Sequence, residues 1–260
     1  MTRALSFSVN AHVATITLAR PEIRNAFGDE MVAEITEAFT SAGERSDVRA
    51  VVLAAEGPAF CAGADLNWMR RMAEYSRDEN RADAGALAAM LRAVYECPKP
   101  TIARVQGDAY AGGVGLVACC DMAVAAEGAG FCLSEVKIGL IPATISPYVI
   151  RAMGARAAHR YLLTGERFAA GEARRIGLVH EVAQAGQLDT VVDGWLEHLL
   201  GAGPDAVRAC KRLVIDVAGR EIDEQLIAAT VESIAGIRAG NEAREGIAAF
   251  LARRAPAWLS

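Results

Sequence analysis

A single carboxylate, Glu135, stands in the apolar run 131–143, FCLSEVKIGLIPA. Among Phe131, Leu133, Val136, Ile138 and Leu140, such a group is expected to be desolvated, which raises its pKa and lets it exchange protons near neutral pH. Residue types alone leave a plainer alternative open, a surface glutamate at a strand edge. Two other stretches carry chemistry through the backbone. At 107–116, GDAYAGGVGL, and at 60–66, FCAGADL, a strand turns through small residues into a helix. The first N–H groups of a helix lack intrahelical acceptors, so each turn can offer donors to an anion. Two such turns facing each other can direct two N–H donors at one oxygen, the arrangement that stabilises an enolate or a tetrahedral oxyanion.

The elements around these residues read as an alternation of strands and helices, hence an α/β arrangement. A strand at 101–105, a glycine-bearing turn at 107–113, a helix at 114–120 and a strand at 122–126 lead to a loop that presents Glu135. Upstream, a strand at 50–54 is broken by Glu56-Gly57-Pro58, and the loop 60–66 enters a helix with Asp65 at its N-cap. Capping accounts for Asp65 fully, and Gly112 reads on its own as a turn glycine with positive φ. The chain opens with a hairpin, 5–9 and 13–18 around Asn10-Ala11-His12, followed by a helix over 29–41 that buries Met31, Val32, Ile35, Ala38 and Phe39. Helices at 68–75 and 78–96 follow, the second burying Leu87, Met90, Leu91, Val94 and Tyr95; its arginines alternate with acids, as on a solvated face. After Glu135 the pattern gives helices at 148–153 and 155–163, a turn at 164–168, a short helix at 170–176 and a last strand at 177–182. Helices at 188–199, 204–217, 221–238 and 241–252 complete the chain, with more apolar stripe than one small core needs. The expected division is a core of 1–185 carrying the site and a helical region of 186–260.

Composition excludes several classes. With 260 residues, 53% of them hydrophobic, the chain can bury a substantial core, yet no apolar run reaches the roughly 18 residues that span a bilayer. No secretory signal is visible at the start, and a net charge of −5 without a Lys/Arg run argues against a nucleic-acid partner. Six cysteines lie mostly in apolar runs without C-x-x-C spacing, which suits reduced thiols in a cytoplasmic protein. The four histidines are scattered and no HExxH is present, so neither a metal nor a redox cofactor is expected. Without a G-x-S-x-G elbow, a serine hydrolase has little support. The run 113–118, GVGLVA, does fit G-x-G-x-x-A with Glu135 downstream. As a dinucleotide site it is disfavoured, because the expected strand ends well before Gly113.

The segments FCAGADL (60–66), AGGVGL (111–116) and LSEVKIGLIPA (133–143), in this order and spacing, resemble the crotonase, or enoyl-CoA hydratase/isomerase, superfamily. RPEIRNAF (20–27) is similar to that family's first CoA-contacting loop, and the resemblance runs from Ala14 to the C-terminus. It implies a spiral of repeated ββα units with a C-terminal helical trimerisation region, and a homotrimer or dimer of trimers. The N–H groups of Ala64 and Gly112 would form the oxyanion hole, and Glu135 would be the catalytic acid-base. Arg24, Ala26, Ala62, Ala64, Asp65 and Leu66 would contact CoA, and Trp68, Met72 and Thr144 are candidates for the acyl pocket. CoA is then part of the substrate. Many hydratases of this family carry a second glutamate in a G-G-x-E helix, whereas this chain has Gly115 there; Thr144, Ser146 or a backbone carbonyl would have to hold water instead. The implied activity is hydration of an enoyl-CoA at the 2,3 double bond, with a closer likeness to bacterial hydratases of methylglutaconyl-CoA and carboxygeranoyl-CoA type. A 3,2-enoyl-CoA isomerase using one glutamate is the first alternative, and a non-catalytic CoA-binding protein on the same scaffold the second.

Overall fold

The computed structural model describes residues 4–259. Strands β1 (Leu5–Asn10) and β2 (Val13–Leu18) form the hairpin, whose reversal uses positive φ at Ala11 and His12. Helix α1 (Asp29–Glu44) follows, and then a motif is laid down three times: β3 (Ala50–Ala55) with β4 (Ala59–Cys61), β5 (Thr101–Val105) with β6 (Asp108–Tyr110), and β7 (Met122–Ala126) with β8 (Gly130–Cys132). Each pair is succeeded by helix: α2 (Leu66–Met72) and α3 (Arg77–Tyr95), then α4 (Gly112–Cys119), then α5 (Ser146–Thr164). The first strand of each pair joins one sheet and the second joins another.

The larger sheet has the order β1-β2-β3-β5-β7-β10, where β10 is Glu181–Ala183, and every pairing from β2 onward is parallel. The smaller sheet is β4-β6-β8-β9, where β9 is Arg167–Ala169; β4, β6 and β8 run parallel and β9 closes the edge antiparallel. Covered on both faces, parallel strands must be continuously apolar, and AVVLAA in β3 is buried at every position. Phe27, Phe39, Phe60 and Phe131 are among the largest fully buried side chains of the interior that the two sheets share with α1, α3 and α4.

The smaller sheet corrects the sequence reading. The expected turn 107–113 contains β6, the expected loop 60–66 begins inside β4, and the expected turn 164–168 runs into β9. Strands of three residues are too short for a period of two to register, and the glycines between them read as turns. Helices were more legible: 204–217 and 241–252 match α8 (Pro204–Val217) and α10 (Asn241–Ala252). The helices read at 148–153 and 155–163 are the two halves of α5, bent where Gly154 takes φ 75°. The last strand lies later than expected, after helix α6 (Ala170–Arg175).

Beyond β10, α7 (Leu188–Gly201) lays Leu188 and Val192 on Val52, Ile102 and Val124, the outer face of the larger sheet. Helices α8, α9 (Glu224–Ala239) and α10 extend the chain further. Helix α8 is tied to the sheet by Lys211, whose ammonium meets Asp121 at 2.7 Å and the Lys99 carbonyl at 3.0 Å. Asp121 in turn accepts from the backbone and hydroxyl of Thr101 at the start of β5. No helix among the described residues is long and apolar enough to cross a membrane.

Candidate active site

Three neighbouring parallel strands, β4, β6 and β8, end on the same side of the smaller sheet, and the three residues expected to carry the chemistry, Ala64, Gly112 and Glu135, follow those ends. Register sets Cys61 opposite Ala109, and Tyr110 opposite Cys132. Ala64 follows Cys61 by two intervening residues, Gly112 follows Tyr110 by one, and Glu135 follows Cys132 by two. Crevices outside the carboxyl ends of parallel strands are where such sheets bind ligands, because unpaired backbone groups and helix starts converge there.

The two turns touch. A Cβ placed on Gly63 would lie 3.1 Å from the Cβ of Ala111 and 3.3 Å from the Tyr110 carbonyl oxygen, so the two turns leave no room for a side chain between them. The Ala111 N–H is fixed by the Cys132 carbonyl at 2.8 Å, which joins the second turn to the strand that leads to Glu135. In the first turn the N–H groups of Ala62 and Asp65 are consumed by the carbonyls of Arg24 and Phe27. Among the described residues the N–H of Ala64 has no acceptor, and neither does that of Gly112, the first residue of α4. Adjacent turns thus present two free donors.

Gly112 is glycine for a reason other than the one its sequence context suggests. Positive φ belongs to Ala111 (φ 48°, ψ −117°), whereas a Cβ on Gly112 would stand 2.6 Å from the Phe27 ring. Gly113 packs as tightly on Cys61, with its virtual Cβ 2.7 Å from the Cys61 carbonyl oxygen. These glycines give up their side chains to neighbouring protein. The dinucleotide pattern fails on that ground, and its dismissal on strand spacing needs correcting, since β6 ends close before Gly113.

Glu135 opens a 3-10 turn, Glu135–Ile138, that ends on Gly139 in the left-handed region. Its carboxyl is half-buried and its Oε2 is inaccessible without a hydrogen-bond partner. Burial pushes this carboxyl above the usual glutamate range, while its own backbone amide pulls the other way. The apolar surroundings differ in part from expectation. Phe131 and Leu133 are buried, but Ile138 and Leu140 project into solvent, because the 3-10 turn carries them outward. Gly115 faces inward, and a Cβ there would stand 2.3 Å from Cγ2 of Ile145. An acidic side chain at 115 therefore has no room.

The remaining candidates distribute unevenly. Arg24, in the left-handed region at φ 54°, and Ala62 line one cavity of about 260 Å³ with Pro58, Ala59, Asp108 and Tyr110. Ala26 is buried one residue before Phe27. Asp65 caps α2, accepting from Asn67 and Trp68 at 2.9 and 3.1 Å, and Leu66 is exposed at the first position of that helix. Trp68, buried, donates its indole N–H to Asp83 at 2.8 Å and lines a groove between α1 and α3 that includes neither Met72 nor Thr144. Met72 packs half-buried on the main core, and Thr144 lies half-buried just before α5. The Ser146 hydroxyl is engaged locally, donating to the Ala143 carbonyl at 2.8 Å.

Sequence reasoning missed Tyr110 and Asp108, hidden inside an unrecognised strand, and placed Asn25 in a CoA-contacting loop without foreseeing its burial, which no periodicity signals. All six cysteines are free thiols. Burial pushes Cys61, beneath Gly113, up to about 12, which leaves it a packing residue. Among the described residues no cluster of three or more His, Cys, Asp or Glu is placed to hold a metal ion.

Comparison with known proteins agrees across the chain. The family model for enoyl-CoA hydratase/isomerase matches residues 8–260. An enoyl-CoA hydratase from Shewanella pealeana superposes with a TM-score of 0.95 at 42% identity, covering 98% of this chain and 96% of that one. The enoyl-CoA hydratase AKT6-1 of Alternaria alternata is 33% identical over 247 residues, 91% of this chain and 81% of the relative. The (E)-benzylidenesuccinyl-CoA hydratase of Thauera aromatica is 31% identical over 257 residues, 98% of both chains.

Proposed function

The chain belongs to the enoyl-CoA hydratase/isomerase family and has its crotonase fold, and from that premise we propose that it hydrates an enoyl-CoA thioester across the 2,3 double bond. The observation that carries the reading is the convergence at one sheet edge of two N–H groups without acceptors and one buried carboxyl oxygen without a partner. In this reading the thioester oxygen lies between the N–H groups of Ala64 and Gly112. The Glu135 carboxylate takes a proton as water bonds to C3, and the π electrons move to give an enolate whose charge the amides hold. The same carboxyl then returns the proton to C2. Loss of one donor of this kind lowers turnover by about 10²- to 10³-fold.

The substrate we favour is branched or carboxylated, such as 3-methylglutaconyl-CoA. Support comes from the likeness of 60–69, 112–121 and 133–149 to that subgroup and from a relative named for a carboxylated acyl-CoA. Arg24, beside the cavity lined by Ala62 and Tyr110, would hold part of CoA. Packing of Gly115 against Ile145 favours a second reading, 3,2-enoyl-CoA isomerisation, in which Glu135 alone moves a proton from C2 to C4. Six free thiols suit a cytoplasmic location, and we extend the proposal to a homotrimer or a dimer of trimers.

An assay with crotonyl-CoA, 3-methylglutaconyl-CoA and a 3-enoyl-CoA decides among these. Loss of enoyl absorbance with either of the first two supports hydration, and its gain with the third supports isomerisation. Silence with all three, in protein that binds CoA, refutes the catalytic reading.

A further inference from the structure

The loop 20–27 holds Asn25, a fully buried polar side chain that the proposed chemistry does not use. Its amide makes three hydrogen bonds. Oδ1 accepts from the Arg20 N–H at 2.9 Å, while Nδ2 donates to the carbonyls of Glu56 at 2.9 Å and Ala59 at 3.0 Å. The two facing carbonyls demand a donor, so the orientation of the amide is determined by its partners. Asn25 also lies in the left-handed region at φ 54°, directly after Arg24 at φ 54°. Asparagine is one of the few residues besides glycine that adopts this conformation readily.

What the amide holds is the segment that touches both turns. Arg24 O accepts from Ala62, Phe27 N–H donates to Gly63 O at 2.7 Å, and Phe27 O accepts from Asp65 at 2.7 Å. These bonds bracket Ala64 and leave its N–H free. The Phe27 side chain, fully buried, packs its ring against Gly112. One short segment therefore sets the direction of the first donor by its backbone and the place of the second by its ring. Asn25 pins that segment to the end of β3 and the start of β4.

We propose that Asn25 is a positioning residue for the oxyanion hole, acting through the segment 24–27 to keep the N–H groups of Ala64 and Gly112 aimed at one point. The inference rests on the proposed thioester-binding reading. Its probe is a conjugated 2,4-dienoyl-CoA, whose absorbance moves to longer wavelength when its carbonyl is polarised by hydrogen bonds. Wild-type protein is measured first: binding without a red shift overturns the reading of the oxyanion hole itself.

With that shift established, the test variant is Asn25→Gly, which keeps the left-handed backbone and removes the amide. The expected result is a cooperative melt, dienoyl-CoA still bound, the red shift diminished, and kcat lowered by about 10²-fold, as a displacement near 1 Å produces, with KM changed far less. Asn25→Asp is the second variant, retaining the acceptor for Arg20 but turning an oxygen toward the two carbonyls, and it is expected to lose the shift as well. Either variant, folded and binding, with an undiminished red shift and kcat within about twofold of wild type, overturns the proposal. A loss confined to KM overturns it too, since that reports binding of CoA rather than aim at the carbonyl.

Discussion

Glu135 concentrates the chemistry, and its burial has consequences that can be measured twice. A carboxylate that starts the reaction must be ionised, so kcat/KM should rise with pH along a limb whose midpoint lies above the ordinary 4.5, because burial raises this group. Glu135→Gln should abolish that limb and lower kcat by at least about 10²-fold, the contribution of a positioned acid-base group; a pH series on both proteins checks it. Stability should move the other way. A carboxyl whose folded pKa lies above its unfolded one destabilises the fold at pH values above the folded pKa, and this cost disappears as pH falls toward 4.5. Glu135→Gln should therefore melt higher than wild type at pH 8, with the gain vanishing near pH 4; calorimetry at the two pH values is the check. The residue types around Glu135 left its burial open against a surface position, and the family resemblance tipped the reading; the exposure of Ile138 and Leu140 was not legible, because a 3-10 turn leaves no periodic trace over four residues.

Among elements, the turn from β6 into α4 is where strain is stored. Ala111 occupies φ 48° and ψ −117°, a region that favours glycine, and it does so where the Gly112 N–H must face outward. Ala111→Gly should raise stability by about 1 kcal/mol at unchanged kcat, as measured by denaturant unfolding and the enoyl-CoA assay. Long elements were read well because their patterns run over many residues: α1, α3, α8 and α10 each repeat an apolar face several times. The smaller sheet was hidden because β4, β6 and β8 have three residues each. Yet these strands carry Ala64, Gly112 and Glu135 past the same ends of one sheet, a common placement that sequence spacing does not encode. Asn25 marks the same boundary, since a buried amide bonded to positions 56 and 59 depends on contacts that sequence spacing does not encode.

At the scale of the whole molecule, the C-terminal helices carry apolar faces that this chain leaves uncovered. Ile227, Val231 and Ile234 lie along one face of α9, and Ile247, Phe250 and Leu251 along α10, with Phe250 exposed at 83%. Spacings of three and four residues make each set a stripe, which a soluble protein normally covers. Multi-angle light scattering should give a mass three or six times 27.4 kDa. Phe250→Glu combined with Val231→Glu should shift the protein toward single chains; a monomeric wild type at micromolar concentration would contradict the proposed assembly. The surplus of apolar stripe was visible in the sequence, whereas the surface that would receive it was not, since a partner face has no signature in one chain's periodicity.

In the proposed mechanism one carboxyl works beside a thioester carbonyl held by two backbone amides. Deuterium exchange at C2 of a saturated acyl-CoA in heavy water, followed by proton NMR, tests it without reference to which turnover the enzyme performs. Wild-type protein should lose the C2 proton signal, and Glu135→Gln that still binds the ligand should retain it; exchange at wild-type rate in that variant would contradict the mechanism.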